Sequence, residues 1–169
     1  MSESTQQHRQ AAPTSVRCAV ITVSDTRTLE NDRGGEMLST SLSGAGHQVV
    51  RREIVPDDPA KIHPLVASLA DAATMDAVLV TGGTGIAARD QTYETISQML
   101  TKSLPGYGEL FRMLSYADIG PAAMLSRTIG GVIGPVVVLT MPGSPAAVRL
   151  ALDKLILPEL AHLVYEARK

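Results

Sequence analysis

From Val16 onward, apolar positions fall in two alternating rhythms. Residues 17–24 form a short, β-branched, nearly continuous apolar run, the pattern of a strand buried on both faces. A polar loop follows from Asp25 to Arg33. Apolar residues then return at Met37, Leu38 and Leu42 with helical spacing and stop near Gly44 and Gly46, where a helix-ending glycine is expected. The cycle repeats. Residues 48–55 read as a second strand, Pro56-Asp57-Asp58-Pro59 breaks it, and Ile62, Leu65, Val66 and Leu69 mark a second helix. Asp58 before Pro59 reads as an N-cap and first-turn pair. A third strand at 77–81 runs into Gly82-Gly83-Thr84-Gly85, and helical patterns follow at about 92–100 and 106–116. A last strand at 136–141 ends at Pro142-Gly143-Ser144-Pro145, after which helical sequence runs nearly to Lys169.

Strands joined by helical crossovers predict an α/β fold: a mostly parallel sheet with helices on both faces, three layers deep. Residues 126–135 fit a short antiparallel hairpin at one edge. Residues 1–15 are rich in Ser, Gln and Thr and offer little to bury, so they read as a disordered tail before a single domain at 16–169. That span is long enough for a substantial core.

Composition narrows the function. Fifteen basic against 17 acidic residues give a net charge of −2 with no basic stripe, and there is no Trp and one Phe to stack on bases. Nucleic acid is therefore not an expected partner. No apolar run reaches the ~20 residues of a membrane span. The polar N-terminus lacks the apolar core of a signal peptide, so no membrane partner and a cytoplasmic location are expected. Cys18, the single cysteine, has no partner for a disulfide and sits in an apolar run as a core residue. His8, His47, His63 and His162 show no metal-ligand spacing.

In an open α/β sheet, ligands bind beyond the carboxyl ends of the strands. Here those ends are Ser24-Asp25, Pro56-Asp57, Thr81 to Gly85, and Pro142 to Pro145, all small, hydroxylic or acidic. The run Thr81-Gly82-Gly83-Thr84-Gly85 suits either a tight strand-to-helix turn or a backbone cradle for phosphate. Asp90 reads as an N-cap or as a ligand. Asp57 has less structural reason to be acidic, because Asp58 already caps. Two carboxylates facing one phosphate-binding turn would suit Mg²⁺. Asp25 and Asp32 read as surface-turn acids. Glu109 and Arg112 read as a local ion pair, and Tyr107, Phe111 and Leu114 as a core or subunit-contact stripe.

Taken in order, several motifs resemble the MoaB/Mog family of molybdenum-cofactor biosynthesis proteins, which includes the molybdopterin adenylyltransferases. They are Val23-Ser24-Asp25, Val55-Pro56-Asp57, Thr81 to Gly85 with Asp90, and the stretch 105–112 from Pro105 to Arg112. Ala123-Met124-Leu125-Ser126-Arg127 and Met141-Pro142-Gly143-Ser144-Pro145 complete the set. The stretch 111–116 leans toward the MoaB branch. The resemblance implies a molybdopterin-binding fold assembled as homotrimers or homohexamers. It implies adenylylation of molybdopterin by ATP with Mg²⁺, releasing pyrophosphate, with Asp57 and Asp90 as the catalytic, metal-holding acids. It implies substrate contacts from Ser24, Asp25, Thr81, Gly82, Gly83, Thr84, Gly85, Glu109, Ser126, Pro142, Gly143 and Ser144. Ser126 would lie near the pterin phosphate. Two departures stand out: Thr92-Tyr93-Glu94 where the family often has Thr-Pro-Glu, and a glycine within Asp32-Arg33-Gly34-Gly35 where many members have Ser or Thr. The alternative function is a non-catalytic pterin-binding or regulatory member of the same fold.

Overall fold

The structure is a computed structural model that describes residues 11–71 and 74–169. Its strands are β1 (Arg17–Val23), β2 (Gln48–Val55), β3 (Ala77–Thr81), β4 (Lys102–Ser103), β5 (Gly130–Ile133) and β6 (Val136–Met141). Its α-helices are α1 (Arg33–Gly44), α2 (Pro59–Asp71), α3 (Thr92–Met99), α4 (Pro105–Ile119), α5 (Pro145–Ala151) and α6 (Leu157–Ala167). The strands form one sheet in the order β2-β1-β3-β6-β5-β4. The first four of these neighbours run parallel, and β5 and β4 add an antiparallel edge. The mostly parallel three-layer α/β architecture with an antiparallel edge is thus present, but residues 126–135 hold only one strand, β5, whose hairpin partner is the interior strand β6, and the edge strand itself is β4.

The continuous apolar run of β1 is explained by two cores. Val16, Cys18 and Val20 point to one face, where they meet Leu38 and Leu42 of α1, Phe111 of α4, and Val148, Leu160 and Val164 of the C-terminal helix. Ala19, Ile21 and Val23 point to the other, against Ile62, Val66 and Leu69 of α2 and Ile96 of α3. Alternate residues of one strand feed opposite layers. Of the expected tail, residues 1–10 lie outside the described residues. Ser15 Oγ donates to the Gly46 carbonyl at 2.8 Å, so the chain is anchored just before β1.

The C-terminal helix is continuous but not uniform. One π-helical turn (Leu152–Ile156) separates α5 from α6. Pro158 follows in the first turn of α6, has no N–H and would crowd the carbonyl four residues back. A locally wider turn relieves that conflict. Asp32 corrects the reading of a surface-turn acid. It is only 3% exposed and caps α1, with Oδ1 accepting from Gly35 N at 2.9 Å. Its Oδ2 accepts from Thr22 Oγ1 at 2.8 Å and meets Arg52 at 3.2 Å. Asp58 caps α2 as expected, accepting from Ala60 N at 2.9 Å.

Candidate active site

The carboxyl ends of β1, β3 and β6 form the floor of the site. They are stitched together there: Gly82 N donates to the Met141 carbonyl at 3.0 Å, and Thr81 Oγ1 donates to the Pro142 carbonyl at 3.1 Å. Thr81 is fully buried and makes this bond, so its part is to join strand ends rather than to line a cavity. Gly82 and Gly83 both have positive φ (98° and 63°), which lets the chain turn sharply off β3 with its backbone facing outward.

Two cavities flank this turn. The smaller, about 420 Å³, lies between Gly82 to Gly85, Asp90, Ser115, Ser126 and Pro142 to Ser144, with Phe111, Ile119 and, from the 3₁₀ turn Gly120–Leu125, Ala122 and Leu125 as its apolar wall. The larger, about 630 Å³, lies under the first loop and is lined by Ser24, Arg27, Asn31, Asp32 and Arg33. Gly82, Gly143 and Ser144 border both. Both volumes fall in the ordinary range for small-molecule sites, about 300–1,000 Å³.

The two candidate acids converge on one turn. A Cβ on Gly83 would stand 2.7 Å from Asp57 Oδ2, and a Cβ on Gly85 would stand 2.6 Å from Asp90 Oδ2. Asp57 arrives from the end of β2, where its backbone N–H donates to Asp25 Oδ1 at 3.1 Å. Asp25, exposed at the rim, also pairs with Arg89. Asp90 is not the cap of α3. That position is Gln91, and Asp90 Oδ2 instead accepts from Ala87 N at 2.9 Å. Asp57 Oδ1 accepts from Gln91 N at 3.1 Å. Each carboxylate therefore keeps one oxygen without a protein donor among the described residues. Thr92 Oγ1, buried and without a partner there, faces the same point on Gly83.

Burial pushes the Asp57 carboxyl above the ordinary carboxylate range. The Gln91 N–H pulls it down and the Asp90 charge raises it again. An oxygen-only donor set with two mutually repelling carboxylates fits Mg²⁺, which takes one or two carboxylates and completes its shell with water and phosphate oxygens. No cluster of three or more His, Cys, Asp or Glu suited to a metal occurs among the described residues.

Ser24 lines the larger cavity, its Oγ accepting from Thr26 N and Arg27 N, both at 3.2 Å. Ser126 lines the smaller one and shares a 2.6 Å hydrogen bond with Thr128 Oγ1. Glu109 is not brought to these residues. It lies in a separate groove with Tyr93, Ser103 and Arg112. The reason is helical phase: Phe111 and Ser115 of α4 face the cavity, and Glu109 is two residues from Phe111, about 200° around the helix. The expected Glu109–Arg112 ion pair is also absent among the described residues. Arg112 turns instead to the carbonyls of Ser126 (3.4 Å) and Thr128 (3.3 Å). Two groups of site residues escaped the sequence reading: Arg27, Asn31 and Arg33 of the larger cavity, and Arg127. Arg127 directly follows Ser126 in a motif already singled out, which was the available signal.

Comparison with known proteins bears on the fold and the family. A family model described as a probable molybdopterin binding domain matches residues 19–162. The molybdenum cofactor biosynthesis protein B of Bacillus subtilis (strain 168) is 53% identical over 168 residues, covering 98% of each chain. A crystal structure of a molybdenum cofactor biosynthesis protein B superposes with a TM-score of 0.90 at 53% identity, over 93% of this chain and 98% of that one. The tungsten cofactor synthesizing protein MoaB from Pyrococcus furiosus gives 0.82 at 38% identity, over 94% and 100%. The chain belongs to the MoaB/Mog family of molybdenum cofactor biosynthesis proteins, the probable molybdopterin-binding domain family.

Proposed function

We propose that this protein transfers adenylate from Mg-ATP to the terminal phosphate of molybdopterin, giving adenylyl-molybdopterin and pyrophosphate. One observation carries the reading: Asp57 and Asp90 lie against alternate glycines of a single turn, beside two substrate-sized cavities that meet at Gly82, Gly143 and Ser144. A phosphate oxygen of the pterin bonds to the α-phosphorus of ATP as the bond to the β-phosphate's bridging oxygen breaks, and pyrophosphate leaves with that electron pair. The nucleophile belongs to the substrate, so the lack of an activated Ser, Cys or His in the site is expected. Catalysis of this kind rests on positioning and charge neutralisation.

In this reading the smaller cavity takes the pterin, held by backbone groups of the glycine turn and of Pro142-Gly143-Ser144, with Ser126 near its phosphate. The larger cavity takes the nucleotide, and Arg27 and Arg33 supply cationic donors for its phosphates. Asp57 and Asp90 would hold Mg²⁺, which when bound neutralises phosphate charge. Consumption of ATP fits a cytoplasmic location, and no helix of the described residues is long and apolar enough to cross a membrane. The test is direct detection, by mass spectrometry, of adenylyl-molybdopterin formed by the native chain. Binding of pterin without product would favour the non-catalytic alternative.

The outer face of α4 and the turn after it leave Met113 (61%), Tyr116 (61%) and Met124 (73%) exposed. Exposed apolar patches of this kind mark contact surfaces. We read this face as the contact between copies in a homotrimer or homohexamer, which light scattering on the purified chain distinguishes from a monomer.

A further inference from the structure

The peptide group joining Asp90 to Gln91 is held at both ends. Its N–H donates to Asp57 Oδ1 at 3.1 Å, and its carbonyl accepts from Arg127 Nη2 at 2.8 Å. The same guanidinium donates through Nε to the Gly85 carbonyl at 2.7 Å, and the Arg127 backbone N–H donates to the Thr84 carbonyl at 3.1 Å. Its third nitrogen pairs with Glu94, and the group lies 5.4 Å from the centre of the Tyr93 ring. One side chain therefore binds the glycine turn, the Asp90 peptide and the first turn of α3. The planar fork of arginine suits this role because it reaches several acceptors in fixed directions, which an ammonium cannot do. A cation on the carbonyl also polarises the peptide, strengthening the N–H that holds Asp57.

We propose that Arg127 is a positioning residue for the Asp57 carboxylate, acting through the Asp90–Gln91 peptide, and that Tyr93 and Glu94 hold its guanidinium for that purpose. The proposal rests on the reading of Asp57 as a working carboxylate of the adenylyl-transfer site. It also accounts for Tyr93, the residue that departs from the family's usual pattern, because its ring lies beneath a cation whose edge meets two carbonyls.

The test uses the full chain with Arg127→Gln, Arg127→Lys and Tyr93→Ala. Its first readout is amide hydrogen exchange at Gln91, which needs neither substrate nor metal. Exchange at Gln91 should accelerate at least about tenfold in both Arg127 variants and by less in Tyr93→Ala, while amides of β1 and β3 keep their native protection. The second readout is kinetic. The kcat should fall about 10–100-fold, the usual effect of removing a group that orients a metal-site ligand, with KM for the pterin within about twofold. Arg127→Lys should recover little, because it restores charge without the fork. If Arg127→Gln does not fold, Arg127→Lys and Tyr93→Ala carry the same comparison. Unchanged Gln91 exchange in the Arg127 variants, or a rise in KM with kcat intact, overturns the proposal. If the native chain forms no product, the functional reading fails while the exchange experiment still decides whether Arg127 sets this peptide.

Discussion

Gly83 and Asp57 share a space that a side chain could enter only by displacing its neighbours: a Cβ on Gly83 would stand 2.7 Å from Asp57 Oδ2 and closer still to Thr92 Oγ1. With φ at 63°, the position is also one that L side chains rarely adopt. Gly83→Ala should therefore displace Asp57 or Thr92 and strain the turn. The expected cost is about 1–3 kcal/mol of stability, read from urea midpoints. Activity should fall further than that stability loss alone explains, measured at a temperature where the variant is folded.

A second prediction concerns Asp32, which caps α1 while accepting from Thr22 and Arg52. Asp32→Ala removes the cap and strands both partners. A loss of about 1–3 kcal/mol is expected in chemical denaturation. Asp32→Asn should lose less, because its side-chain oxygen still caps the helix. Equal stability of the alanine variant and the native chain would contradict this account.

Acid stability should depend on Asp76, buried at the opposite end of the sheet from the site. Burial alone would raise its carboxyl. Hydrogen bonds from the Arg17 side chain and backbone, together with the charges of Arg168 and Arg17, outweigh burial and hold it below the ordinary range. The folded state thus binds this proton more weakly than the unfolded chain does. The stabilisation is present above the unfolded pKa of 3.8 and is lost as pH falls through the folded value. Asp76→Asn should flatten the drop in melting temperature below about pH 4.

Cys18 offers a probe of global opening. Burial pushes its thiol up to about 12, and it is fully enclosed in the core. At pH 8 a thiol reagent should label it only at the rate of unfolding, and completely in denaturant. Rapid labelling of the native chain would contradict the packing of β1 between two helical layers.

What the sequence showed follows from where each signal is local. The apolar run of β1, the Asp58 cap and the glycine turn after β3 declare themselves through residue type within a few positions. β4 does not, because Lys102–Ser103 is a strand only by virtue of its pairing with β5. Asp57 and Asp90 were legible as candidates because two acids fall at strand ends together with a glycine-rich turn, and the family resemblance singled out the same pair, although Asp90 alone also reads as a helix cap. Asp32 was misread because the Arg52 that helps to hold it comes from β2, a neighbour in space and not in sequence. Glu109 was placed with the site residues although its helix turns it into another groove. The motif containing Ser126 pointed to the neighbourhood of Arg127 but not to its role, because two of its acceptors are the backbone carbonyls of Gly85 and Asp90, which residue letters do not encode.

In the proposed reaction, two carboxylates packed against one glycine turn work together on Mg-ATP and molybdopterin. Its most direct measurement is pyrophosphate release by the native chain beside Asp57→Ala and Asp90→Ala, with pterin binding followed in parallel. Turnover is expected in the native chain and a loss of ~100-fold or more in each variant, with pterin still bound. Full turnover in either variant, or none in the native chain, would contradict this reading.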